Sequence, residues 1–260
     1  MTYDDLLSAT AAAVRLAGER LLTRYSTASR QAALPELLAS LQANDASVVD
    51  VLRPALAEIL PEAGWMNDEH GSGLMPAGDW WLIDPVGGNV NAVHGMPDWN
   101  IGLSLVRDGN PILAVIYAPV HDEMFTATAS GGAFLNGARM HVSTKTSLDA
   151  ALVGTGQAQP RRDRELAEQI GRSFTAMMQT ALYVRISVPV GHQLAQVAAG
   201  RMDAHWQFDQ VRSHVAGVLL VQEAGGIVTA LDGSPWSIES SGYLASAPGM
   251  HAAALEVLAA

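Results

Sequence analysis

The sequence has no cysteine and a single lysine, Lys145, and these two shortages exclude several kinds of protein. Without thiols the chain forms no disulfide and holds no metal through thiolate ligands. Its cysteine content therefore does not indicate whether the protein works in an oxidising or a reducing compartment. The 15 basic and 26 acidic residues give a net charge of −11, which leaves no basic stripe for a nucleic-acid backbone. Nucleic acid is therefore not expected as a partner.

Long apolar runs are also missing. No stretch approaches the length of a membrane span, and the start, Met1 to Asp5, is acidic and lacks the basic and apolar regions of a signal peptide. We therefore expect no membrane partner and a cytoplasmic location. With 260 residues, of which 49% are hydrophobic and 16% charged, the chain has ample material for a globular core.

The stretch from Trp80 to Asn91 is the most informative part of the chain. An apolar run delivers Asp84 and then breaks at Pro85 and the pair Gly87-Gly88, which predicts a strand that ends with a carboxylate at its tip. A carboxylate at the end of a strand is well placed to act as a metal ligand. The same pattern also fits an ordinary strand followed by a Gly-Gly turn, with Asp84 accepting hydrogen bonds from turn amides.

Residues 84–91 read D-P-V-G-G-N-V-N and resemble the metal motif of the inositol monophosphatase family, D-P-[ILV]-D-G-[ST]-x-N. The resemblance implies that Asp84 and the Val86 carbonyl are metal ligands and that Gly88 contacts substrate. Two positions depart from the motif. Gly87 replaces its second Asp, and Asn89 replaces the hydroxyl that orients the attacking water and contacts substrate.

Two further acids precede this motif. Asp68, followed by Glu69, matches the family's E-E-[SH]-G, whose first acid is a metal ligand with a catalytic role, although the pair is also compatible with a solvated turn. Asp50 is the match for an Asp that positions a third metal or the attacking water. As an alternative, Asp50 is simply a helix N-terminal charge.

The fold prediction depends on segments without catalytic residues. Periodicity predicts an amphipathic helix over 4–25, two helices within 32–60 separated near Asn44 to Ser47, and paired strands at 101–106 and 111–117. The run that follows, through G-G-A-F-L-N-G at 131–137, resembles the family's meander. The resemblance implies an α/β layered αβαβα sandwich of the inositol monophosphatase and fructose-1,6-bisphosphatase type, with a large sheet under the helix pair and a smaller sheet after residue 150.

The halves 1–145 and 146–260 are expected to form one compact unit, with the substrate side in the second half. Gly191, His192 and Gln193 stand where the family has small residues that let a sugar or inositol ring approach, so the pocket is expected to be narrower or remodelled. Gln207, after Trp206, stands where the family often has a substrate-contacting Glu.

His214 replaces the last metal-binding Asp, at the start of a helix that ends in the family's E-A-G-G. Imidazole supplies a neutral nitrogen where Mg²⁺ prefers oxygen, so Mg²⁺ is expected to bind weakly, unless Asp98 or Asp209 replaces a missing ligand. His214 with Asp84 and Asp68, which are expected to converge, could instead hold one Mn²⁺ or Zn²⁺ ion. His94, His121 and His141, near turns, are read as surface residues rather than ligands.

Three hypotheses follow. The first is a metal-dependent phosphomonoesterase of inositol or sugar phosphates with impaired activity, and the second is a catalytically degenerate relative that binds a ligand or a protein. The third is a different hydrolysis that uses one histidine-bound metal. The expected partners are a small phosphate ester and a second copy of the chain in a homodimer.

Overall fold

The computed structural model describes residues 2–28, 31–66, 68, 70–157, 163–209 and 212–259. Within them the helices are α1 (Tyr3–Leu22), α2 (Leu34–Ile59), α3 (Asn89–Val93), α4 (Arg164–Thr180), α5 (Val190–Ala198), α6 (Val215–Glu223) and α7 (His251–Ala259). Short 3₁₀ turns cover Leu148–Ala150, Arg212–His214 and Pro248–Met250. Glu69, which the sequence pattern pairs with Asp68, lies outside the described part.

The strands form two sheets. The first contains β1 (Gly64–Met66), β2 (Asp79–Gly87), β3 (Asn100–Arg107), β4 (Asn110–Ala118), β5 (Glu123–Thr128), β6 (Gly132–Leu135) and β7 (Ala138–Arg139), in that order. The second contains β8 (Leu152–Thr155), β9 (Tyr183–Ile186), β10 (Ala204–Phe208), β11 (Ile227–Thr229) and β12 (Gly242–Ser246), in the order β11-β12-β10-β8-β9. The predicted meander and the smaller second sheet are confirmed.

Three apolar clusters hold the layers together. Helices α1 and α2 bury residues such as Val14 and Leu52 against one face of the first sheet. Helices α5 and α6 lie between the sheets and bury Leu194 and Leu220 against both. Helices α4 and α7 cover the outer face of the second sheet, around Trp206. The order helix, sheet, helix, sheet, helix confirms the predicted αβαβα sandwich, whereas the division at residue 145 stays a prediction.

Helix α2 differs from the sequence prediction of two helices, because it continues without a break through Asn44 and Asp45. These residue types end helices by bonding to their own backbone. Here the Asn44 side chain instead accepts from Arg24 and donates to Asn89, and Asp45 accepts from Asn89. Tertiary contacts therefore occupy the groups that would have capped a second helix.

The predicted end of the central strand at Asp84 is also revised. Strand β2 runs on to Gly87, with a bulge after Asp84, which pairs with Gly102, while Gly87 pairs with Asn100. Proline cannot donate to a sheet ladder, so Pro85 is accommodated within the bulge. None of the helices in the described ranges is long and apolar enough to cross a membrane.

Candidate functional site

The candidate site begins where β2 passes into α3. Asp84 is half-buried, and Val86 and Gly87 are buried after it. Gly88 has a φ of 73°, and a Cβ there would lie 2.8 Å from the Asp98 carbonyl oxygen and 2.9 Å from Pro189 Cδ. Glycine is required for this left-handed turn and for the close approach of the loop before α5.

Asn89 faces away from this turn and towards α2. Its Nδ2 donates to Asp45 Oδ1 at 2.7 Å and to the Leu41 carbonyl at 3.0 Å, and its Oδ1 accepts from Asn44 at 2.9 Å. The α2 carboxylate beside Asn89 is therefore Asp45, whereas Asp50 is exposed on the same helix. Asp45 is therefore the carboxylate of α2 that contacts Asn89, and the role of Asp50 stays a prediction.

Asp68 forms an ion pair with Arg212 of the same chain. Its Oδ2 lies 3.1 Å from Arg212 Nη1, and the Asp68 side chain is 65% exposed while that of Arg212 is 10% exposed. Arg212 also donates to the Ser72 carbonyl at 3.2 Å. A metal at Asp68 would have to compete with this guanidinium, and the ligand role of Asp68 stays a prediction.

His214 is buried at the end of the 3₁₀ turn, which lies against β2. Its ring meets the edge of Tyr243 at 5.9 Å between centroids, and its Nδ1 has no hydrogen-bond partner among the described residues. Burial lowers the pKa of His214 to about 3, and His70 adds to the effect. The imidazole is therefore neutral at pH 7 and brings no compensating charge to a cation.

Helix α5 supplies the next group of side chains. A Cβ on Gly191 would lie 3.4 Å from Ile116 and 3.7 Å from Asn100 Nδ2. Gln193 is buried and donates to the Ser187 carbonyl, while its Oε1 has no partner among the described residues. This glutamine therefore supports the loop before α5, and it also lines the cleft beside that helix.

His192 is oriented by a chain of polar contacts. Arg201 Nη1 donates to Gln196 Oε1 at 3.2 Å, which directs the Gln196 amide nitrogen to His192 Nε2 at 2.8 Å. Because an amide nitrogen only donates, Nε2 accepts and the ring proton sits on Nδ1. Burial lowers the pKa of His192, an effect only partly opposed by Glu123, so the ring is neutral at pH 7.

A cleft opens between α5 and the loop before β3. Its empty volume of about 340 Å³ includes open solvent, so the enclosed part of the cleft is smaller than a typical small-ligand site. Asp98, Arg185 and His192 supply its ionisable groups, and Pro189 connects it to Gly88. Asn91 joins its two walls by donating to the Asp98 and Val188 carbonyls at 2.8 and 2.9 Å.

The other predicted residues lie outside this cleft. Gln207 is buried and accepts from the Gly156 amide at 3.2 Å. Asp209 is exposed, with a φ of 57°. His94, His121 and His141 are exposed, and His121 stacks on the His192 ring at 6.5 Å.

The residues do not fit a two-metal cluster. In the part of the chain that the structure describes, no three His, Cys, Asp or Glu side chains are placed to hold a metal. Asp84, Asp68 and His214 come from elements that meet, but their side chains do not form one ligand set. The space beside Gly87 is also closed, because a Cβ there would lie 2.7 Å from Asp84 Oδ2 and 3.0 Å from Asn100 Oδ1.

The sequence reading missed Asn100, Asp45 and Arg185. A lone asparagine at the start of a strand carries no motif, and its proximity to Gly87 arises from the β2–β3 pairing. The residue type of Asp45 and its neighbours predicts a helix cap and not a contact with Asn89. Arg185 stands in a short strand without any pattern of its own.

Comparison with families and with individual proteins gives a consistent result. The model of the inositol monophosphatase family matches residues 2–260. The Nus factor SuhB of Pseudomonas aeruginosa is 35% identical over 207 residues, which are 77% of this chain and 76% of that protein. The inositol monophosphatase of Dictyostelium discoideum is 28% identical over 252 residues, 95% of this chain and 93% of that protein.

The solved structures show the same likeness in three dimensions. The inositol monophosphatase from Anabaena (Nostoc) superposes with a TM-score of 0.82 at 30% identity, over 98% of this chain and 96% of that one. An inositol monophosphatase from Zymomonas mobilis gives 0.84 at 18% identity, which by itself supports only the fold.

Proposed function

Since this chain belongs to the inositol monophosphatase family, we propose that it binds inositol or sugar phosphates in the cleft beside Gly88 and hydrolyses them only slowly. The family is generally metal-dependent. The observation that carries the proposal is the crowded space at Gly87, where a carboxylate of the family motif would stand and where Asp84 and Asn100 already meet.

The expected loss of catalytic rate follows from the negative charge that is missing beside the metal. At an effective dielectric of about 20, one carboxylate next to a dication contributes several kcal/mol of attraction. Two such carboxylates are missing, at Gly87 and His214. A tenfold change in rate corresponds to only about 1.4 kcal/mol of activation free energy. Turnover well below that of related enzymes is the expected consequence.

The cleft supports ester binding through its own charges. None of the ion pairs among the described residues involves Arg185, so its guanidinium is available to a phosphate. Asp98 lies in the same cleft and can accept from the hydroxyls of a polyol. His192 is neutral and, with its proton on Nδ1, restricts the width of the site without adding charge.

Hydrolysis is tested by phosphate release from inositol monophosphate at saturating Mg²⁺, with the Dictyostelium discoideum enzyme assayed in parallel. We expect kcat/KM at least about 100-fold below that of the relative, because two carboxylates are missing. Equal values would contradict the proposal. Calorimetry with the same ester is expected to show binding that Arg185→Gln weakens and that Arg172→Gln, an exposed control on α4, does not.

The second candidate is a catalytically degenerate member that binds a ligand or a protein partner. It is favoured by the lack of a three-ligand metal group among the described residues and by relatives that are named Nus factors. Ester binding without measurable turnover supports this candidate. Binding that is abolished together with turnover by Arg185→Gln supports the first.

A homodimer in the cytoplasm, without membrane or nucleic acid, remains part of the proposal, and β9 is the surface that we assign to the second copy. This strand is at the edge of the second sheet, and an exposed edge is a template for pairing. Tyr183 is 69% and Ile186 45% exposed, with Leu182 and Met178 beside them. Exposed apolar side chains along an unpaired strand edge are typical of an interface.

Sedimentation equilibrium tests this assignment. Wild type is expected to be dimeric at tens of micromolar, and the variant Tyr183→Asp with Ile186→Asp is expected to shift to monomer, because charges at an edge oppose pairing. Leu74→Asp, at a residue 76% exposed elsewhere, is the matched control and should remain dimeric. A monomeric wild type, or a dimeric double variant, would contradict the assignment.

A further inference from the structure

Lys145 is the only lysine of the chain, and it forms an ion pair with a buried carboxylate. Its Nζ lies 2.8 Å from Asp203 Oδ2, and the Asp203 side chain is 1% exposed while that of Lys145 is 46% exposed. The ammonium therefore faces solvent on one side and compensates an interior negative charge on the other. A buried carboxylate that loses such a partner destabilises the fold strongly.

Asp203 connects several segments of the second sheet. Its Oδ2 also accepts from the Leu152 amide at 2.7 Å, at the start of β8. Its backbone N–H donates to the Leu152 carbonyl, and its carbonyl accepts from the Ala247 amide just after β12. Lys145 comes from the connection between the two sheets, and Asp203 directly precedes β10. A disturbance of this carboxylate therefore affects β8, β10 and β12 together.

The Asp203 carboxylate has no second cation within the described residues. Its Oδ1 is buried and has no hydrogen-bond partner there. None of the other ion pairs between described residues involves Asp203. The charge of Lys145 is therefore the only one in that part of the chain that compensates this carboxylate, and a change that neutralises the amine leaves the carboxylate buried and uncompensated.

We propose that Lys145 is a site of Nε-acylation by small acyl phosphates and that its acylation loosens the second sheet. Nζ attacks the acyl carbon, the bond from that carbon to the phosphate oxygen breaks, and phosphate leaves with the electron pair. The ammonium loses two protons in forming the amide. One goes to the departing phosphate and the other to solvent, and Asp203 Oδ2 is near enough to accept a proton on the way. The product is a neutral amide beside a buried carboxylate.

Incubation of the full chain with acetyl phosphate tests the proposal, and peptide mass spectrometry locates the adduct. We expect an acetyl group on Lys145 and a Tm lower than that of the untreated chain. Because the lysine is half exposed, the expected decrease is moderate, about 5 °C. Hydrogen exchange of the Leu152 amide should become about tenfold faster, because this amide donates to the carboxylate that loses its partner.

Two variants are the matched controls. In Asp203→Asn no buried charge remains, so acetylation of Lys145 should change the Tm by less than about 1 °C. Lys145→Arg keeps the positive charge but has no amine to acetylate, and its Tm should not respond to acetyl phosphate. No adduct on Lys145, an adduct that leaves the wild-type Tm and Leu152 exchange unchanged, or an equal loss of Tm in Asp203→Asn would overturn the proposal. None of these measurements depends on phosphatase activity.

Discussion

The triple variant Gly87→Asp, Asn100→Ala and His214→Asp is expected to hydrolyse inositol monophosphate in Mg²⁺ at least about 100-fold faster than wild type, whereas the double variant that keeps Asn100 gains far less. The family motif places carboxylates at 87 and 214. A side chain at 87 meets Asp84 Oδ2 at 2.7 Å and the Asn100 amide atoms at 3.0 and 3.1 Å, too close for an undisturbed fit. Asn100→Ala removes the amide, and the Asp84 carboxylate can rotate away.

The substitution His214→Asp is itself expected to lower the stability of the folded protein. The residue is 6% exposed, and a carboxylate buried there without a partner is destabilising until a cation binds. Mg²⁺ should therefore raise the Tm of the triple variant, which provides a readout independent of activity. Rates are measured by phosphate release, with circular dichroism on the same samples.

Two results would contradict this prediction. If wild type matches the triple variant at saturating Mg²⁺, its site is not impaired. If the double variant equals the triple one, Asn100 does not obstruct residue 87. Ala138→Asp, which adds a carboxylate at an exposed position of β7, is the control for charge and should leave the rate unchanged.

The architecture was predictable from the sequence because it depends on repeated local signals. Helical periodicity indicates α1, and the hairpin turn at 108–110 indicates the pairing of β3 with β4. The errors have a common physical origin. Asn44 and Asp45 carry cap-forming side chains, but partners distant in the chain, Arg24 and Asn89, use them instead.

The candidate site was only partly predictable for the same reason. A motif places Asp84 and Gly88, whereas the neighbours that decide their chemistry come from elsewhere in the chain. Arg212, which binds Asp68, is 144 residues away from it. Asn100 meets Gly87 only through the register of β2 on β3, a relation that no single sequence pattern contains.

Acid is expected to destabilise the protein strongly between pH 6.5 and pH 3 because of two buried histidines. His205 is 0% exposed, stacks on Tyr243 at 6.0 Å, and neither ring nitrogen has a partner among the described residues. Burial lowers the pKa of His205 to about 3, with a smaller contribution from His214, whose own pKa burial also lowers to about 3. Both rings are neutral in the folded protein at pH 7.

The sign of this change in stability with pH follows from how many protons the folded and unfolded chains bind. Below pH 6.5 the unfolded chain protonates both imidazoles while the folded chain does not, so acid favours the unfolded state. Each histidine should lower the free energy of unfolding by about 1.4 kcal/mol per pH unit until its folded-state pKa is reached. Stability is therefore full above pH 6.5 and is lost as the pH falls towards 3.

Urea unfolding at pH 7, 6, 5 and 4 measures this slope. His205→Phe keeps the ring against Tyr243 but cannot bind a proton, so the slope should fall by about 1.4 kcal/mol per pH unit whatever the change in stability at pH 7. His205→Leu should give the same slope and thus separates the charge effect from packing. His94→Gln, at an exposed histidine, should leave the slope unchanged. If both His205 variants retain the wild-type slope, the buried imidazole is not the group that makes the fold sensitive to acid.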